Sequence, residues 1–482
     1  MYFNSGFYLL YLICVKKNFF YKKYFEVMNY SKKLRFKICK KENNKMKCLI
    51  LCSSPISHII PLESLIDNLI ENDVEVYAVS VLNNKSRIEK FGAHFIEYPF
   101  DFVGGSKIKR NMKISENYYR LLSEEKYYDA YYSYVYEDTK SFYTHNLDNL
   151  IKLFEIAKKI NPDFILRDAV DRYGSIVAKM LLVPCVGYIT HNLYSKQFFS
   201  TNPSYYYKIF MRSLNQSELL PNDFFKNFRD ECENINDIVF RESDTFKIYT
   251  HHQFDPREEF TLINSIDGIQ PKESLENDRK YELMYPALSR FKIEKDIPSD
   301  LREFIENSQN VVYIASGSMI SFPPDFYIQL INGLVNNGFK LVISFKNDLE
   351  ILYDKIPEKM KNNVKIYNFV PQQYVLSNSK LFITTGGQNS IIESIYHKVP
   401  MLVFPVTSEQ SINGLIIEKE KIGKTTYIER ENYMTIGELI KEILSDKQIE
   451  ANLECLSNRI KYNNCDYSKF WSYLNDELKK TN

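Results

Sequence analysis

The run from Phe382 through Thr384, Thr385, Gly386 and Gly387 to Asn389, Ser390 and Glu393 carries the residue types that seat a phosphate. It reads as a buried strand turning through two glycines directly into a helix. The glycines let the backbone approach a ligand closely, and Asn389 and Ser390 open a helix whose free N–H groups and positive dipole end attract an anion. Downstream, residues 399–405 read as the next strand, followed by the acid–amide pair Glu409 and Gln410 and by Asn413. A phosphate seat followed by a carboxylate and an amide able to grip hydroxyls suggests a nucleotide-sugar site.

A second candidate lies far upstream. Imidazole can take a proton from an attacking hydroxyl near neutral pH. His58 follows the first strand, in a segment (54–61) that reads as a loop at the C-terminal edge of a sheet, where open α/β folds bind ligands. Asp168 ends another strand, 164–168, and Asp171 follows three residues on, where it could instead cap a helix.

Those side chains need two sets of βα units to hold them. An apolar strand from Lys47, helical spacing over 62–72 and a strand at 74–79 make a βαβ unit, which implies a parallel sheet. The pattern recurs with the strand 164–168, a helix over 173–182 and a strand at 185–189. A second series opens at 311–318 and continues with a helix near 325–337, strands at 340–345 and 364–367, and then the glycine run. The fold class is therefore α/β with two Rossmann-like domains. The polar stretch 273–300, with Pro286 and Pro298, is the expected link, and 450–480 is rich in helix formers.

From Phe369, Pro371 and Gln372 through Leu376, Gly386, Gly387, Asn389, Ser390, Glu393, Pro400, Pro405, Glu409, Gln410 and Asn413 to Gly423, the chain resembles the signature of the family 1 UDP-dependent glycosyltransferases. The resemblance implies a GT-B architecture, with an acceptor domain first, a UDP-sugar domain second and a C-terminal helix returning to the first. The corresponding expectations are an N-terminal extension over 1–45, an acceptor domain over 46–290, a donor domain over 291–455 and the return helix over 456–482. It also implies an inverting transfer of a hexose from a UDP-sugar to a small-molecule or lipid hydroxyl, with the UDP-sugar as co-substrate and no cofactor or metal.

Ser57, His58 and Pro61 resemble the family's Gly-His-x-x-Pro element, with serine in place of glycine, which makes His58 the general base and Asp168 its carboxylate partner. Phe369 stands where the family's tryptophan stacks on uracil. Gln372 would bind the base or ribose, and Glu393 would accept from ribose hydroxyls. Gly387, Asn389 and Ser390 would hold the diphosphate, with Gly317 and Ser318 close by, and Glu409 and Gln410 would bind the sugar. Thr385 replaces the family's usual phosphate-donating histidine; it can still donate a hydrogen bond but carries no charge. That departure keeps open a non-catalytic UDP-sugar-binding protein, while a UDP-sugar 2-epimerase shares the fold without the histidine–aspartate pair.

Composition adds limits. Lys+Arg 62 against Asp+Glu 61 gives a formal charge of +1, which offers no electrostatic case for nucleic acid. The eight cysteines form no CxxC pair, which fits a reducing compartment, and no run of about twenty apolar residues suggests a spanning helix, so a cytoplasmic location is expected. The basic, aromatic segment 1–45 is read as an extension without a folded role, or one preceding a true start at Met46, with contact at a membrane surface as the alternative. Tyrosines and phenylalanines crowd 103–160 and 192–245, as an acceptor-pocket wall or as core filler. His397 is expected at a helix-end surface, and His251–His252 lacks the nearby acids of a metal pair.

Overall fold

The computed structural model describes residues 45–52, 56–100, 147–171, 173–202, 254–275, 278–317, 322–346, 348–428, 433–463 and 465–481. The candidates Ser318, His251 and His252, the extension up to residue 44 and the tyrosine pairs of 118–132 and 205–207 lie outside the described residues.

Seven strands form the first sheet: β1 (Lys47–Leu51), β2 (Glu75–Ser80), β3 (His94–Glu97), β4 (Phe164–Asp168), β5 (Cys185–Ile189), β6 (Phe260–Ile263) and β7 (Lys280–Leu283). Six form the second: β8 (Val311–Ala315), β9 (Lys340–Ser344), β10 (Val364–Tyr367), β11 (Leu381–Thr384), β12 (Met401–Val403) and β13 (Gly423–Thr425). The orders are β3-β2-β1-β4-β5-β6-β7 and β10-β9-β8-β11-β12-β13. Every pairing is parallel, so all strand C-termini of a sheet lie along one edge.

Parallel sheets carry helices on both faces and need apolar residues on both. In β1, Cys48 and Ile50 point to the side covered by the helix Glu63–Glu71 through Leu65, Ile66 and Leu69. Leu49 and Leu51 point to the other side, against Leu150, Leu153, Phe154 and Ala157 of the helix Leu147–Ile160. The fully buried β8 is the equivalent centre of the second sheet.

Three elements depart from the sequence expectations. The segment 54–61 is not all loop: His58 sits in a helical turn, Ile56–Ile59, continued by the 3₁₀ turn Ile60–Leu62, because Ile59 and Leu62 are both drawn into the core. The link expected over 273–300 contains β7, whose Tyr281 and Glu282 alternate faces at the sheet edge. The C-terminal helical stretch is two helices, Lys447–Tyr462 and Ser468–Thr481, separated near Tyr467 with φ 55°.

The first of that pair packs on the second half, where Ser457 Oγ donates to the Tyr396 carbonyl at 2.8 Å. The second docks on the first sheet. Tyr473 stacks on Phe260 with centroids 5.0 Å apart, the Trp471 indole N–H donates to Asn68 at 2.9 Å, and Glu282 accepts from the Phe470 N–H at 2.8 Å. Burying each such ring is worth roughly 1.5–3 kcal/mol, so this strap holds the two halves in register. Among the described residues no helix is long and apolar enough to cross a membrane.

Candidate active site

The two sheets meet at their C-terminal edges, and the candidate residues lie at that meeting. His58 follows β1 and Asp168 is the last residue of β4, the strands that pair across the point where the order of the first sheet reverses. His58 Nδ1 lies 2.7 Å from Asp168 Oδ2. The imidazole is 17% exposed and the carboxylate 1%. Asp168 also accepts from the Val170 N–H at 3.1 Å and the Tyr188 hydroxyl at 3.3 Å, which fixes its plane, and Thr190 Oγ1 is 3.4 Å from His58 Nδ1. With Nδ1–H turned to the carboxylate, Nε2 is the nitrogen left to take a proton.

Burial alone would lower the His58 pKa. The Asp168 charge and hydrogen bond, joined by the Glu409 charge from the other half, raise it above the ordinary imidazole value. Glu409 thus reaches His58 electrostatically across the gap. Asp171 does something else: its Oδ1 accepts from the Tyr173 and Gly174 N–H groups at 2.9 and 2.8 Å, at the start of the helix Gly174–Leu181, and Tyr98 donates to its Oδ2 at 2.9 Å. Of the two rivals, the carboxylate on the imidazole is Asp168.

On the second half, β11 turns through Gly386 (φ 83°) into the helix Gln388–Tyr396, with Gly387 as its N-cap. A Cβ on Gly386 would lie 2.7 Å from Val403 Cγ1, whereas one on Gly387 would meet nothing within 4 Å. The first glycine makes the turn and the second leaves open space beside a helix start that has no side-chain cap. Ser390 is half-buried there, and Gly317 (φ 92°), after β8, approaches Thr385.

Asn389 spans the gap. Its amide nitrogen donates to the Ser57 carbonyl at 3.1 Å and its oxygen accepts from Asn264 at 3.2 Å. Asn264, after β6, also donates to the Thr190 carbonyl at 2.8 Å, and Gln388 donates to Asn192 and to the Asn264 carbonyl. The helix start and the His58 turn are therefore hydrogen-bonded neighbours.

Several candidates have internal partners. Thr385 donates its only hydroxyl proton to the Ser316 carbonyl at 3.0 Å and accepts from Gln410 at 3.1 Å, so in this state that proton is not aimed at a phosphate. Gln410 completes a capping box: its Oε1 accepts from the Val406 and Thr407 N–H groups at 2.9 and 3.0 Å, fixing the helix Ser408–Lys419. Glu409 accepts from Asn413 at 3.3 Å. Glu393 accepts from Arg290 at 3.0 Å on one oxygen and from Gln372 on the other, while Tyr313 donates to Gln372 Oε1 at 2.9 Å. Phe369 is 82% exposed.

His397 differs from its expected surface position. It is half-buried against Gln373 at 2.8 Å, and burial pushes its pKa down to about 4. Asn264, Thr190 and Arg290 gave no motif in the sequence; the signal available for the first two was their position just after strands.

Two parallel Rossmann-like sheets facing one gap, with an imidazole–carboxylate pair on one side and a glycine turn at a helix start on the other, define a GT-B glycosyltransferase fold. The glycotransferase of kitacinnamycin superposes with a TM-score of 0.64 at 15% identity, over 90% of this chain and 100% of that one. A family model described as UDP-glucoronosyl and UDP-glucosyl transferase matches residues 275–471. The UDP-glucosyltransferase YojK of Bacillus subtilis is 22% identical over 311 residues, 64% of this chain and 71% of the relative. UDP-glucuronosyltransferase 2B13 of Oryctolagus cuniculus is 23% identical over 436 residues, 83% of this chain and 78% of the relative. Residues 275–471 thus carry the likeness to the UDP-glucuronosyl and UDP-glucosyl transferases, and the protein is a UDP-glycosyltransferase.

Proposed function

We propose that the protein transfers a hexose from a UDP-sugar to the hydroxyl of a small-molecule or lipid acceptor, with inversion at the anomeric carbon and His58 as general base. The observation that carries the reading is the 2.7 Å contact between His58 Nδ1 and Asp168 at the edge that faces the glycine turn. The acceptor O–H gives its proton to His58 Nε2 as its oxygen attacks the anomeric carbon. The bond from that carbon to the β-phosphate oxygen breaks on the opposite side, and UDP leaves with the electron pair. Asp168 stabilises the imidazolium that forms, without taking the proton.

The leaving diphosphate draws on the N–H groups at the start of the helix Gln388–Tyr396, whose positive end stabilises developing charge. Asn389 and Ser390 lie in its first turn and Gly387 gives the room. Glu393 and Gln372 face the nucleoside, Phe369 the base and Glu409 the sugar hydroxyls. Since the Thr385 hydroxyl donates to Ser316, backbone N–H groups take the place of the family's histidine.

The experiment is UDP release from UDP-glucose with phenolic, macrolide and lipid acceptors, alongside UDP binding by calorimetry. Wild-type turnover, reduced about 10²–10⁴-fold in His58→Ala with UDP affinity unchanged, is the expected result. Tight UDP binding with no transfer to any acceptor would favour a sugar-nucleotide-binding protein, and free UDP-mannosamine formed from UDP-N-acetylglucosamine would favour an epimerase.

A further inference from the structure

The connection between the two sheets is strapped to the donor side by three consecutive contacts. Arg290 Nη2 donates to Glu393 Oε1 at 3.0 Å. Phe291 stacks on Tyr396, centroids 3.9 Å apart and planes 7° apart. Glu294 accepts from the N–H groups of Gln373 and Tyr374 at 3.2 Å each, at the start of the helix Gln372–Ser377. Glu393 and Tyr396 are spaced i, i+3, so the connection runs along one face of the helix that opens at the glycine turn.

The hydrogen bonds at Glu393 have a fixed direction. The Tyr313 hydroxyl donates to Gln372 Oε1, which turns the Gln372 amide nitrogen toward Glu393 Oε2. Arg290 takes the other oxygen. A carboxylate has about four lone-pair positions, so with two occupied two remain for a ligand's hydroxyls. Arg290 and Glu393 side chains are only 12% and 11% exposed. Removing the guanidinium would leave a nearly buried carboxylate with one oxygen unpaired and free to turn.

We infer that Arg290 is a positioning and specificity-determining residue for the donor's ribose: it fixes Glu393 so that its remaining lone pairs meet the 2′,3′-diol. Selection of a ribonucleotide donor then depends on the interdomain connection as well as on the donor sheet. This rests on the reading above that Glu393 faces the ribose.

The test is calorimetric binding of UDP and 2′-deoxy-UDP to the full chain, its Arg290→Met, Arg290→Lys and Glu393→Ala variants, and Phe291→Leu as a packing control. A site built to bond a hydroxyl rejects the analogue lacking it, because its polar groups are left unpaired. Wild type should prefer UDP by about tenfold or more. Arg290→Met and Glu393→Ala should bring that ratio to within about twofold, Arg290→Lys should recover part of it, and Phe291→Leu should keep it. If Arg290→Met does not fold, Arg290→Gln is read in its place with the same expected collapse.

A wild-type ratio retained in the neutral Arg290 variant but lost in Glu393→Ala overturns the inference and leaves the donor reading intact. No preference in wild type overturns it too. A wild type that binds neither nucleotide overturns the donor reading itself.

Discussion

The two halves share one strand order and use it for opposite purposes. Each sheet begins 3-2-1-4-5-6 when its strands are counted from its own first, so β1–β4 and β8–β11 are equivalent reversal points. In the first half that point presents side chains, His58 and Asp168, brought together across 110 residues of sequence. In the second it presents backbone: Gly317, Gly386, Gly387 and an uncapped helix start. Chemistry held by side chains can be removed with one atom-level change. A seat made of backbone resists such changes, except where a glycine's geometry is the seat.

The side-chain half should therefore be the more fragile in activity. Asp168→Asn keeps the shape but withdraws the negative charge from the imidazole. We expect kcat to fall about 100-fold or more, with UDP affinity within twofold. The pH profile gives the sharper reading. A base works deprotonated, and Asp168 and Glu409 hold the His58 pKa above its ordinary value, so the acidic limb of wild-type activity should lie above about 6.5. Without Asp168, burial dominates and the limb should move down. The stability sign agrees: a raised folded pKa means the pair's contribution is full below about 6.5 and fades as pH climbs through the folded value. An unmoved limb in Asp168→Asn would show that another group sets it.

The backbone half should break in stability before chemistry. At Gly386, φ is 83° and an added Cβ would lie 2.7 Å from Val403 Cγ1. Gly386→Ala should cost about 2 kcal/mol in chemical denaturation, from the left-handed backbone and the clash together. Gly387→Ala, whose Cβ meets open space, should leave stability nearly unchanged and weaken UDP binding. If both variants lose stability equally, the second glycine is a packing residue and not part of a ligand seat.

The same contrast explains what was legible in the sequence. The candidates of the second half lie almost wholly within 369–413, a contiguous run of strands, turns and helices whose spacing can be read, and the structure joins Gln372 to Glu393 on the helix that the glycine turn opens. Asp168 was readable because it ends a strand and His58 because it follows one, although the helical turn around His58 was not: Ile56 and Ile59 signal it only weakly over four residues. Asn264, Thr190 and Arg290 stayed hidden, since asparagine and threonine are common after any strand and Arg290 stands in what reads as a polar link. Gln410 was legible as an amide but not as a cap, a choice decided by the Val406 and Thr407 N–H groups that lie within its reach. Within the aromatic segments, the described rings Phe154, Tyr194 and Phe198 are buried core rings.

The smallest expected effect is the one that best separates chemistry from scaffold, because Asp168 and Asp171 are both fully buried and three residues apart. Burial raises the Asp171 pKa to about 6 against the opposing N–H groups and Arg167. The folded protein thus holds that proton more tightly than an unfolded carboxyl near 3.9 would, and loses stability as pH rises between about 4 and 6. An amide at this position keeps an oxygen for the Tyr173 and Gly174 N–H groups and carries no charge to bury. Asp171→Asn should therefore match wild type in melting temperature near pH 4, equal or exceed it near pH 7, and keep kcat within about twofold. A loss of activity comparable to that of Asp168→Asn would mean that the helix-capping carboxylate also governs the imidazole, and the side-chain half would then depend on both aspartates at once.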